Sequence, residues 1–241
     1  MKILLPLLGS IFALCILTAC DHDSASPIRN VRFDPKLLNQ LQDGSNTACT
    51  NYTYNYGGKA KYLGAVNTRQ IIVAFDENLS FADQQDLLAN FGFVKGLGNA
   101  TATSSAKLFT VELESGLSCR QVEQAIKVLQ QSQGIRYAAP FFQDGAQMLG
   151  ISNELLVTLK QSDDLKQLRS LLAASNAAIV MPLDELTYLV RVDKNSAGNA
   201  LELANSLQNE QTVAHAEPDF ILSSGDLKTS GTQRRNAVVI E

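Results

Sequence analysis

Apolar and polar positions follow two rhythms along this chain, and the rhythms change places at regular intervals. The run Ile71-Ile72-Val73-Ala74-Phe75 is continuously β-branched and aromatic, which predicts a strand buried on at least one face. Ser80 then opens a segment in which Phe81, Leu87, Leu88 and Phe91 gather on one helical side before Gly92 stops it. A weak strand signal over 93–97 and a firm one over 108–113 flank a loop rich in Gly, Ala, Thr and Ser. Ser118 with Gln121 predicts a capping box, and Val122, Ile126 and Leu129 form the apolar stripe of the helix behind it, stopped by Gly134. A last strand over 135–142 is predicted to end at its proline, Pro140. The order is β, α, β, β, α, β.

The chain then writes that order again. Strands are predicted at 154–159, 178–183, 187–192 and 213–220, and helices at 162–176 and 196–210, the latter with Ala200, Leu203 and Leu207 as its apolar stripe. The closing phrases GIRYAAPFF (134–142) and TVAHAEPDF (212–220) stand 212 − 134 = 78 positions apart. They align Tyr137 with His215, Ala138 with Ala216, Pro140 with Pro218 and Phe142 with Phe220. The first strands are 155 − 71 = 84 positions apart, and the extra length falls mainly in the Gly/Ser-rich loop of the first copy, where it costs little. Strands and helices in this split order predict an α+β fold of two tandem ferredoxin-like units, 69–144 and 152–222. Each would be a four-stranded antiparallel sheet with two helices on one face. At about seventy residues apiece the cores are marginal alone, so the copies are expected to pack together.

Ahead of the repeats, residues 1–20 carry Lys2, an apolar run from Ile3 to Ala19 and small residues before Cys20, which reads as an export signal. The run is short for a transmembrane anchor and is flanked by one Lys. Leu17-Thr18-Ala19-Cys20 resembles a bacterial lipobox, which implies lipidation of Cys20 and two-chain anchoring to a bacterial cell membrane. Asp21 resembles an inner-membrane retention signal. Residues 21–68 read as a tether and extension, with a short helix at 34–43 opened by Asp34-Pro35. The Asn- and Tyr-rich stretch 46–58 could offer an aromatic surface to carbohydrate or nucleic acid. Without basic partners, a loop or irregular strand covering a domain edge is the expectation.

Charge and chemistry narrow the functions further. With 20 Lys+Arg against 24 Asp+Glu and no basic run longer than Arg234-Arg235, nucleic acid is not an expected partner. Cys49 and Cys119 are a candidate disulfide in an oxidising compartment, with two inert buried thiols as the alternative. Four ligands at zinc spacing do not occur, so neither metal nor cofactor is expected. The histidines are His22 and His215, and the second falls where the first copy has Tyr137, a structural aromatic position rather than that of a general base. Asp163-Asp164 opens a helix, where acids suit the macrodipole, and Asp184-Glu185 lies in a turn. Gly96-Leu97-Gly98 lacks the third glycine and the following helix of a phosphate cradle. No catalytic residue is expected.

A unit of this order whose last strand reads as Val213, Ala216, Glu217, Pro218, Asp219 and Phe220 do resembles the prodomain of subtilisin-like serine proteases. The likeness covers 153–222 well and 69–142 loosely, with Ala139 and Phe141 in place of the Glu and Asp. It implies a sheet face that docks on a protease and a C-terminal segment that enters the substrate cleft, with Glu217, Pro218, Asp219 and Phe220 as candidate partner-binding residues, of which Glu217 and Asp219 are expected to alternate to the exposed side. The protease itself, with its Asp, His and Ser, has no room in the 241 − 222 = 19 positions after Leu222. Two functions are therefore expected to compete. One is a membrane-anchored inhibitor or folding helper acting in trans on a subtilisin-like protease, through the sheet or through the tail at 223–241. The other is a non-catalytic interaction or structural lipoprotein of the cell envelope, without a protease target.

Overall fold

The structure, a computed structural model, describes residues 49–144 and 147–224. The expected export signal with Cys20, the helix expected at 34–43 and the tail beyond Ser224, including Ala237-Val238-Val239-Ile240, lie outside the described residues.

Period-two and period-3.6 patterns become strands and helices largely where they were expected. A hairpin of β1 (Thr53–Tyr56) and β2 (Lys59–Tyr62) comes first. The first copy follows as β3 (Ala65–Phe75), α1 (Phe81–Ala89), β4 (Val94–Ala102), β5 (Lys107–Leu113), α2 (Cys119–Gln131) and β6 (Ile135–Asp144). The second is β7 (Gln147–Leu159), a short 3-10 turn at Ser162–Asp164, α3 (Leu165–Ala174), β8 (Ala178–Pro182), β9 (Thr187–Arg191), α4 (Ala200–Leu207) and β10 (Val213–Ser224). This is a mixed α+β fold with four helices and antiparallel strand pairing among the described residues. Ser118 and Gln121 form the reciprocal capping pair that heads α2, and Asn199 with Glu202 does the same for α4, satisfying N–H groups that a helix start leaves open.

In each copy the strands lie side by side as second, third, first, fourth: β4-β5-β3-β6 and β8-β9-β7-β10. The copies are not two separate sheets. Residues 143–152 read as a connection in the sequence, but β7 begins at Gln147, and Gly150–Gln147 pair back on Phe141–Asp144 of β6 in a hairpin. β7 then continues along β9 through Glu154–Thr158, while β10 follows its other edge, so one eight-stranded sheet runs through both copies.

Nor do the prolines end their strands. β6 and β10 run through Pro140 and Pro218. In β10 the Ala216 N–H turns away from β7 to Gln208 Oε1 at 2.9 Å. Pro218, two residues on in the same register, therefore aims its nitrogen at the edge that pairs with no strand among the described residues, where no ladder bond is lost. Pro140 sits just before the pairing of β6 with β7 starts at Phe141.

The duplication reaches individual contacts. Gln130 Nε2 donates to the Ala138 carbonyl at 3.0 Å in the first copy. Gln208 and Ala216, each 78 positions further on, bond in the second (208 − 130 = 216 − 138 = 78). One hydrophobic cluster holds Ile71, Val73, Val122 and Leu129 together with Leu155, Val157, Leu168 and Leu207. The marginal cores of the two copies are thus pooled.

Candidate partner-binding face

Alternation along β7 separates two sheet faces in the second copy. Leu155, Val157 and Leu159 are buried under the helices. Their neighbour Tyr188, paired with Val157, lines an apolar groove with Leu165 and Leu172 of α3. The opposite face carries a row set by strand register: Glu217 of β10 lies beside Leu156 of β7, then Leu189 of β9, then Met181 of β8. Residues directly opposite share a face, so these four form one stripe, acidic at the β10 end and apolar beyond. Leu156 is half-buried and Met181 is 40% exposed. Alongside runs a polar row of His215, Thr158 and Thr187, whose two threonine hydroxyls lie 3.2 Å apart.

In the first copy the corresponding face is closed along β3 and β6, while Thr110 of β5, opposite Ile72, is half-buried. Ile72, Ala74, Tyr137, Ala139 and Phe141 are each no more than 2% exposed. The second copy supplies part of the cover. Tyr137 donates its hydroxyl to the Ser152 carbonyl at 2.7 Å, and the Ala200 N–H at the head of α4 also reaches its oxygen. Burial drives the phenol's pKa upward, so it acts only as a neutral hydroxyl. Beside it runs a buried polar seam that the sequence did not announce. Ser105 N donates to Glu154 Oε1 at 2.6 Å, Asn153 Nδ2 to Ser105 Oγ at 2.9 Å, and Thr103 Oγ1 to Asn153 Oδ1 at 3.1 Å. Ser152, Asn153 and Glu154 are 0%, 4% and 1% exposed. They stand in the middle of β7, between Ile151 and Leu155.

The candidate residues at the end of the second copy divide. Glu217 is on the open face, its Oε1 2.7 Å from His215 Nε2. His215, aligned with the buried Tyr137, is one-third exposed by side chain; its ring packs edge-on against Tyr56 at 5.4 Å. Asp219 does not stand free on the exposed side as alternation implied: Ser152 Oγ, fully buried, donates to its Oδ2 at 2.9 Å. The register shift between Pro218 and Phe220 breaks the alternation there. Pro218 is buried and Phe220 half-buried, the latter with its ring against Tyr54 at 6.1 Å. Burial and the Glu217 carboxylate together push the Tyr54 phenol's pKa upward.

The Asn- and Tyr-rich stretch covers an edge, but as an ordered hairpin. Gly57 and Gly58, at φ 55° and 77°, make the two-residue turn that its Gly-Gly pair could have signalled. Cys49 and Cys119 form a disulfide, with Cα atoms 6.0 Å apart. Among the described residues no three His, Cys, Asp or Glu side chains gather to hold a metal ion, and no helix is long and apolar enough to cross a membrane. Asp163, Asp164 and the turn at Asp184 are at the surface; the Asp184 carboxyl is held below the usual range by N–H groups of Leu186 and Thr187. No family model and no curated protein matches this chain.

Proposed function

We propose that the chain is a lipid-anchored, non-catalytic protein built of two tandem ferredoxin-like units, and that it binds and inhibits, or helps fold, a subtilisin-like serine protease in trans. The observation that carries the reading is the row Glu217–Leu156–Leu189–Met181 across the second copy, in which Leu189 is buried and Glu217, Leu156 and Met181 are partly exposed. That copy also holds the prodomain-like phrase Val213–Phe220. The strand order second, third, first, fourth in both copies supports the ferredoxin-like reading. An apolar stripe with an acidic end suits a partner surface that is itself apolar with a polar rim. The chain beyond β10 would offer the extended segment for the cleft by strand addition. Cys20 would carry the anchor, so Cys20→Ala should abolish labelling by a fatty-acid analogue.

The test is titration of residues 21–241 against a panel of subtilisin-like proteases. Tight, slow inhibition is expected, weakened at least tenfold by Met181→Asp or Glu217→Ala with thermal stability nearly kept. If the wild type inhibits none and forms no complex with any, the chain is instead a non-catalytic structural module of the cell envelope.

A further inference from the structure

The segment from Cys49 to Leu63 crosses the join between the copies, and each of its anchors is identifiable. Its first end is tied to α2 of the first copy by the Cys49–Cys119 disulfide and by Thr50 N–H to Glu123 Oε1 at 2.9 Å. Tyr52 packs on Phe142 with ring centroids 4.9 Å apart. The chain then reaches α4 of the second copy, where one side chain clips it twice: Asn55 N–H donates to Asn205 Oδ1 at 3.0 Å and Asn205 Nδ2 to the Thr53 carbonyl at 2.8 Å. Beyond that clip Tyr54 meets Phe220 and Tyr56 meets His215, both on β10, which pairs only with β7 among the described residues.

A two-stranded hairpin is at best marginal on its own, and this one forms its own small sheet rather than joining the large one. With the disulfide closed, the crossing is a short loop held at α2 on one side and at β3 on the other, so it cannot leave its site. With the disulfide open, what holds the segment among the described residues is its entry into β3 at Ala65, the buried side chains of Tyr54 and Leu63, one asparagine clip, the bonds of Thr50 and Tyr52 to Glu123, and three ring contacts. We propose that residues 49–64 are a thiol-gated clasp: the Cys49–Cys119 disulfide holds the hairpin over Phe220 and His215, and its reduction by a dithiol releases the hairpin and uncovers that side of β10 while the large sheet stays folded.

The exchange balances without another partner. A thiolate of the dithiol attacks the cystine, breaking the Cys49–Cys119 S–S bond and forming a mixed disulfide. The second thiol resolves it, so the reductant leaves as a disulfide and two electrons and two protons end on Cys49 and Cys119 as thiols. Both cysteines are half-buried rather than enclosed, so a small dithiol can reach them. Cys119 is the first residue of α2, where the positive end of the helix dipole favours the departing thiolate. The clasp does not depend on the protease reading, since its readout is the protein's own backbone.

Hydrogen exchange on residues 21–241, oxidised and after dithiothreitol, tests it, with Cys119→Ser as an independent route to the open state. On opening, amides of 50–64 should exchange at least tenfold faster and those near Ala216 and Phe220 several-fold faster. At the same labelling times β3 and β7 should stay protected. Unchanged exchange over 50–64 in both samples overturns the proposal, because the hairpin then holds itself. Equal loss of protection in β3 and β7 overturns it too, because the bridge then supports the whole fold.

Discussion

The two copies of the repeat agree beneath their helices and differ on the other side of the sheet. Ile71 and Val73 in one copy and Leu155 and Val157 in the other are all fully buried. On the opposite face the first copy has Ile72, Ala74, Tyr137, Ala139 and Phe141, all buried, where the second has Leu156, Thr158, His215 and Glu217, all half-buried, beside the buried Leu189. The residue types follow the burial. A face covered within the molecule must be apolar or fully hydrogen-bonded, whereas an open one tolerates carboxylates and imidazole. The departures of the first copy from the prodomain-like phrase, Ala139 for Glu and Phe141 for Asp, are those that a covered face requires. Among the described residues, the repeated pattern thus has one half whose β3 and β6 positions are covered and one whose corresponding positions stay partly exposed.

The hardest way to break this comparison is to exchange the two faces' chemistry. Ala139→Glu places a carboxylate in a position 1% exposed, and destabilisation of at least about 4 kcal/mol, or failure to fold, is expected. Glu217→Ala, 78 positions on, should cost under about 1 kcal/mol, because the contact with His215 that it removes is more than one-third exposed. Urea unfolding of both variants checks the pair; similar losses would mean that the faces are not distinguished by burial.

Next come the two phenylalanines that end the repeated phrase. Phe142 is fully buried against Tyr52, so Phe142→Ala should cost about 3–5 kcal/mol. Phe220 is half-buried with one ring contact to Tyr54, and Phe220→Ala should cost only about 1–2 kcal/mol. Equal costs would contradict the difference in packing.

How much of this was legible without coordinates follows from where each signal comes from. Element order, helix starts and the duplication are local or periodic, and Ser80, Ser118 and the 78-residue offset reported them. The β6–β7 hairpin was not legible, because Gln143 to Ser152 has no regular alternation and its pairing is imposed by the sheets on either side. Likewise nothing local says that Ser152, Asn153 and Glu154 are buried; their partners, Ser105, Thr103 and Asp219, are about fifty or more positions away in sequence. The exposed placement expected for Asp219 failed because alternation assumes an unbroken ladder, and the register slips at that point. Pro140 and Pro218 misled in the opposite sense: a proline ends a strand only when its missing N–H was needed.

The smallest expected effect sharpens the comparison at a single aligned position. Tyr137 and His215 are 78 positions apart and occupy the same place in their copies, but only the tyrosine reaches across to the other copy. Tyr137→Phe keeps the ring and removes one hydroxyl, leaving the buried Ser152 carbonyl without the donor now 2.7 Å away. A loss of about 1–2 kcal/mol is expected, since an unsatisfied buried acceptor costs more than a hydrogen bond contributes on average. His215→Phe gives up the contact with Glu217 but keeps a ring against Tyr56, at a site one-third exposed, and should change stability by no more than about 0.5 kcal/mol. The double variant is the sharper measurement. If the two positions answer to separate surroundings, their effects should add within about 0.5 kcal/mol. A larger coupling would mean that His215 also senses the seam between the copies, and that the open face and the covered one are not energetically independent.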